Sequence, residues 1–164
     1  MTKRLVVLVA AALTLSGCAL GFDAGTNVKV TPGNGASYDF DGIQIRGAGI
    51  VIDKENPNKG TFIGTVINRS DADFSVVGIS GESITQSDEA NVTVASGAIA
   101  QFGYESDNLI ALNGDFTPGH WVDVQLLLNG AKPVSLHLMV NNNEGVYADV
   151  VVPGTPVPSA APTL

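Results

Sequence analysis

The sequence predicts an all-β domain, two antiparallel sheets packed face to face as a β-sandwich, and three features predict it. Between residues 41 and 152, short runs rich in Val, Ile, Thr and Phe are broken by Gly, Asn and Asp, the punctuation of strands and turns. No amphipathic helical stretch exceeds two turns, so no helix is at hand to cover a sheet face. Near the end of the chain the apolar residues alternate strictly. Val122, Val124, Leu126 and Leu128 share one face, as do Val134, Leu136, Leu138 and Val140, and again Val146, Ala148, Val150 and Val152. The opposite faces carry Asp123 and Gln125, then Ser135, His137 and Met139, then Tyr147 and Asp149, as in an antiparallel sheet wetted on one side.

The elements follow in chain order. Lys3 and Arg4 precede the apolar run Leu5 to Leu15, the n-region and h-region of a secretory signal over residues 1–17. Eleven residues at about 1.5 Å each reach roughly 17 Å, short of a hydrocarbon core of about 30 Å, so the run does not span a bilayer. Leu15-Ser16-Gly17-Cys18 resembles the bacterial lipobox. That resemblance implies cleavage before Cys18 and a diacylglyceryl group on its thiol, the alternative being a secreted protein with a stray thiol. Two or three acyl chains, at about 0.8 kcal/mol per buried methylene, make a stable anchor. Residues 18–40, Gly-rich and polar with only Val28 and Val30 suggesting a strand, read as a lipidated, disordered tether.

Strands are expected near Gly42–Asp53, Gly60–Asn68, Phe74–Ile84, Asn91–Val94, Ile99–Glu105, Asn108–Leu112, Trp121–Asn129, Val134–Asn141 and Val146–Val152. Turn residues separate them, among them Asn56-Pro57-Asn58, Asn113-Gly114, Asn129-Gly130 and Asn141 to Gly145. Nine such strands without helices must bury their apolar faces on one another, which makes 41–152 an immunoglobulin-like sandwich. Four prolines in the last twelve residues, 153–164, remove ladder donors and leave an extended, disordered tail.

Composition narrows the function. The chain has sixteen acids and eight bases, a formal charge of −8. Without Lys3 and Arg4, six bases face sixteen acids and the net is −10. Lys29, Arg46, Lys54, Lys59, Arg69 and Lys132 are scattered, so nucleic-acid binding lacks its electrostatic footprint. One cysteine permits no internal disulfide and no Cys-rich zinc or iron–sulfur site. There is no Gly-x-Ser-x-Gly elbow and no nucleophile with a sequence signature beside either histidine. Gly47-Ala-Gly49 lies in a strand with no following helix and offers no phosphate cradle. An enzyme is not expected.

The stretches Asp41 to Ile52, Gly64 to Ser70 and Phe116 to Leu128, with the Val134 to Val152 strands behind them, resemble the PCu(A)C-type copper chaperones, most nearly their actinobacterial lipoprotein branch, the LpqE-like proteins. The resemblance implies a cupredoxin-like β-sandwich and a Cu(I) site of His and Met side chains. Its final ligand pair is a His-x-Met just before a Pro-Gly turn. Here that segment is Asp107 to Asn113, leading to Thr117-Pro118-Gly119, and the pair positions read Asn108 and Ile110. Neither an amide nor a hydrocarbon ligates Cu(I). Once the leader is gone, Met139 is the only methionine and His120 and His137 the only histidines, too few for a site of two Met and two His in one chain.

His137-Leu138-Met139 is itself a His-x-Met, and a period of two puts both side chains on one face about 7 Å apart. It lies in the strand after the Pro-Gly turn, displaced from the family motif. In a hairpin turning at Asn129-Gly130, His137 falls opposite a residue close to Asp123, leaving His120 some three residues away. Two other patterns read as incidental. Asp71-Ala72-Asp73, with Asp53 and Glu55, could bind a hard cation such as Ca²⁺ but lacks the Gly and bidentate Glu of a loop site. Asn68-Arg69-Ser70 and Asn91-Val92-Thr93 match the N-glycosylation pattern.

The expected protein is therefore a lipoprotein held by Cys18 on the extracytoplasmic face of the cell membrane, a binding or accessory module of the envelope with an envelope protein as candidate partner and no cofactor. The alternative is a metallochaperone that handles copper through His137, Met139 and His120.

Overall fold

The computed structural model describes residues 35–104 and 106–154. The signal peptide, Cys18, residues 18–34 of the tether and residues 155–164 of the tail lie outside the described residues. What is described is β throughout apart from one 3₁₀ turn, in ten strands: β1 (Ala36–Phe40), β2 (Ile43–Ile52), β3 (Lys59–Asn68), β4 (Phe74–Ser80), β5 (Ile84–Ser87), β6 (Val92–Val94), β7 (Ile99–Phe102), β8 (Ala111–Gly114), β9 (Trp121–Asn129) and β10 (Val134–Asn142).

The all-β class stands, but the two sheets are joined. Hydrogen bonding runs in the order β5-β8-β3-β2-β10-β9-β4-β6, with β1 beside β2 and β7 beside β3. The joint is β10. Its residues Val134–Met139 pair antiparallel with β9, and then Val140–Asn142 pair with Ile50–Ile52 of β2. That second pairing is parallel, so the sheet is antiparallel everywhere except at the seam. Curling about β10 brings the inner faces together over one core that includes Ile50, Phe62, Phe102, Ile110, Leu126 and Leu138, all without solvent exposure.

β2 shows how the phase of a strand is set. Ile43 and Ile45 face the core at odd positions, whereas Ala48, Ile50 and Ile52 face it at even ones. The register against β3 slips between Arg46 and Gly49, and Gly47 takes φ +61°. One extra residue reverses which side chains point inward, and glycine accepts the left-handed backbone without a Cβ penalty.

Four sequence expectations change. β1 occupies residues assigned to the tether, bonded antiparallel to β2. Phe74–Ile84 divides into β4 and β5 at a turn where Ile84 N–H donates to Gly81 O. The strand expected at Asn108–Leu112 begins only at Ala111 and runs to Gly114. The strand expected at Val146–Val152 is absent. Gly145–Tyr147 form the 3₁₀ turn, and Tyr147, Ala148 and Val150 donate to Glu144, Gly145 and Tyr147 three residues back. These turns satisfy the backbone that a ladder would otherwise serve. Val146 is consequently exposed, while Val150 and Val152 lie on the outer side of β2 and β3 against Val51 and Ile63, a second small core.

Candidate functional site

Thr117 to His120 form the turn that launches β9: His120 N–H donates to Thr117 O, and Gly119 has φ +78°, as a turn with Pro at its second position and Gly at its third requires. From there Trp121, Asp123 and Gln125 project from the outer face at alternate positions, opposite Met139, His137 and Ser135 of β10. The register places His137 against Asp123, as the hairpin reading of the sequence expects.

His137 is held from two sides. Its backbone N–H donates to the Tyr38 hydroxyl at 2.6 Å, and that hydroxyl donates to the His137 carbonyl at 2.7 Å. Both backbone groups thus point toward β1, away from β9, which makes His137 and Asp123 a pair that exchanges no ladder bonds. In such pairs the Cα atoms approach to about 4.5 Å and side chains meet closely. The imidazole Nδ1 lies 2.7 Å from Asp123 Oδ1. Trp121, diagonal to His137 in the ladder, stacks on the imidazole with centroids 5.0 Å apart and planes 7° from parallel, within the reach of diagonal aromatic neighbours.

These groups floor an open cleft of about 910 Å³ whose walls are Tyr38 of β1 and the segment Ser80–Ser83 after β4. The wall stands close because residue 81 is glycine: a Cβ there would lie 2.7 Å from the Asp123 carbonyl oxygen. Glu82 and Asp123 bring carboxylates to the lining, and no Lys or Arg does.

The three metal ligands nominated by the sequence lie on β10 and in the turn before β9. His137 and Met139 share the outer face, with Met139 half-buried opposite Trp121. His120 is exposed at the turn, its carbonyl accepting from the Val140 N–H of β10. Among the described residues no group of three His, Cys, Asp or Glu is placed to hold a metal ion. The family-motif positions are also occupied otherwise. Ile110 is fully buried in the core. Asn108 belongs to a local turn, its Nδ2 donating to Gln101 O and its carbonyl accepting from Gly103 N–H. Of the acidic cluster, Asp53 Oδ1 accepts the N–H groups of Glu55 and Asn56 and Asp73 Oδ1 that of Ser96, so both carboxylates serve as loop caps.

Trp121 and Tyr38 were not among the residues singled out by sequence. The signal for Trp121 was its outer-face parity with Asp123, whereas Tyr38 reaches His137 across 99 positions of chain and has no local signature.

No protein-family model matches the chain, and neither does any curated protein sequence. Solved structures do. The apo PCuAC domain from PmoF1 superposes with a TM-score of 0.56 at 13% identity, covering 65% of this chain and 99% of that one. The apo PmoF2 PCuAC domain gives 0.57 at 12%, covering 67% and 98%. A copper-bound PCuAC domain from PmoF2 gives 0.54 at 13%, covering 65% and 98%. The fold is that of the PCuAC domain. At such identities the likeness concerns the fold, and it agrees with the cupredoxin-like architecture implied by the sequence resemblance.

Proposed function

We propose that this protein is a lipid-anchored, extracytoplasmic binding module of the cell envelope, of the actinobacterial lipoprotein branch, that uses a PCuAC-type fold without a tight copper site of its own and without catalysing a reaction. The observation that carries this reading is the fully buried Ile110 at the position where the resemblance expects the Met of the ligand pair, beside Asn108 at the His position. A side chain packed among core residues offers no donor to an ion arriving from solvent. The anchor rests on the single cysteine of the chain falling at the end of a lipobox-like leader. No helix among the described residues is long and apolar enough to cross a membrane.

A second reading, a metallochaperone with weak or partner-completed Cu(I) binding, draws on the copper-bound neighbour and on His137 and Met139 sharing one face. Titrating the full chain with Cu(I) against a competing chelator separates the two. The first reading expects affinity no tighter than about micromolar, as for an isolated surface His. Submicromolar binding that disappears in His137→Ala establishes the second.

The anchor has its own test. Fractionation of cells expressing the protein is expected to place wild type in the membrane pellet and Cys18→Ser outside it, since the chain would then lack the acyl groups that hold it. Retention of Cys18→Ser in the pellet would refute the anchor.

A further inference from the structure

The cleft over β9 and β10 has a chemistry that neither reading uses. Its floor is an aromatic surface: the indole of Trp121 is 48% exposed even with the His137 imidazole stacked on it. Tyr38 stands at one wall, fixed by its two hydrogen bonds to the His137 backbone. Arg46, which donates to the Tyr38 carbonyl, is paired with Asp39 and is not part of the lining. Asp123, with its side chain 90% exposed, and Glu82 line the cleft with no Lys or Arg. The whole chain, at −8, reinforces the field.

We infer that this cleft is a binding site for a small organic cation bearing ammonium or guanidinium groups. Indole is the strongest of the side-chain π faces for a cation, and a carboxylate beside it adds a charge-assisted hydrogen bond. An anion meets repulsion at both carboxylates of the lining. A neutral sugar has the stacking surface but draws nothing from the charge. The cleft, about 910 Å³, falls within the roughly 300–1,000 Å³ of small-ligand sites. The site shares no residue with the Asn108 and Ile110 positions on which the first reading rests, and His137, which the second reading uses, is left unchanged in the variants that test it.

Trp121 is the only tryptophan of the chain, and its fluorescence reports the cleft directly. Spermidine added to the full chain should change that fluorescence saturably. The apparent affinity should fall at least ten-fold in Glu82→Gln/Asp123→Asn, and several-fold when NaCl is raised from about 0.05 to about 0.5 M. Both substituted side chains are exposed, and far-UV circular dichroism verifies that the variant is folded. Calorimetry on Trp121→Leu, which removes the π face while keeping both carboxylates, should show a comparable loss. The inference is overturned by no saturation below about 10 mM spermidine, or by equal affinity in the charge-removed variant. It is overturned equally by a comparable response to cellohexaose, which would make the cleft a glycan site, or by a response confined to long oligo-arginine, which would make it a peptide-docking surface.

Discussion

Phe62→Ala is expected to lower the stability of the domain by about 3–5 kcal/mol, the range for removing a fully buried phenylalanine. Phe62 has no solvent exposure and lies at the middle of β3, opposite Ile50 of β2. Its ring packs at 59° to that of Phe102, centroids 5.8 Å apart, a tilted aromatic pair that adds to the burial. The site has little freedom to collapse. β3 is bonded along one edge to β2 and along the other to β8 and then β7. Gly64 already runs so near the ring that a Cβ there would lie 3.2 Å from its tip. The vacated volume therefore stays open and the loss falls toward the upper part of the range. Urea unfolding followed by Trp121 fluorescence checks it. With a slope of about 1.5–2 kcal/mol per M, the midpoint should fall by about 2 M. A shift worth less than about 1 kcal/mol would mean that the core repacks around the gap.

Much of this architecture is legible in the sequence where one physical signal dominates. In β9 and β10 the alternation of Val122 to Leu128 and of Val134 to Val140 is uninterrupted, and those residues line the core. The turn at Asn129-Gly130 then fixes the register well enough to place His137 opposite a residue close to Asp123, and the structure pairs it with Asp123 itself. Legibility fails where two signals compete. The bulge at Arg46–Gly49 changes the inward phase of β2 midway, which a single period cannot represent. Val146, Ala148, Val150 and Val152 alternate as a strand does, yet β10 is already paired with both β9 and β2. Its edges are taken, and the segment folds into local turns instead. β1 carries Tyr38 and Phe40 among polar residues, too little apolar material to stand out, and it is held by bonds to β2 whose partners lie several residues further along.

The candidate site divides in the same way. Local sequence puts Trp121 and Asp123 on one face and His137 on the facing strand, but not which of them touch. Their contact depends on the His137–Asp123 pair exchanging no ladder bonds, which follows from the Tyr38 hydroxyl occupying the His137 backbone. That hydroxyl comes from β1, the strand the sequence leaves invisible. The copper question has the opposite character: that Asn108 and Ile110 carry no soft donor is a matter of residue type and is read directly from the sequence, while the burial of Ile110 is not.

Asn68 yields the second large effect and gives the Asn-x-Ser pattern a structural meaning. The side chain is fully buried and makes four hydrogen bonds. Its Nδ2 donates to Ala72 O at 2.8 Å and to Val94 O at 2.9 Å. Its Oδ1 accepts from Ser70 N–H at 2.9 Å and from Ser70 Oγ at 2.6 Å. The amide therefore joins the end of β3, the turn that follows it and β6, with both of its donors and two acceptor positions in use. Buried without accessible surface, it is also closed to a glycosyl transferase in the folded protein. Asn68→Ala removes a donor from the Ala72 and Val94 carbonyls and the shared acceptor of Ser70 N–H and Oγ, although Ser70 Oγ can still reach Ala72 O, and the expected loss is about 3 kcal/mol. Asn68→Asp distinguishes this account from one based on packing alone. Aspartate has nearly the same shape, but it sets a second carboxylate oxygen against the carbonyls of Ala72 and Val94, so at neutral pH it should destabilise at least as much as alanine. Urea unfolding of both variants decides the matter: if Asn68→Asp keeps wild-type stability, the hydrogen-bond network is not what holds the turn to β6.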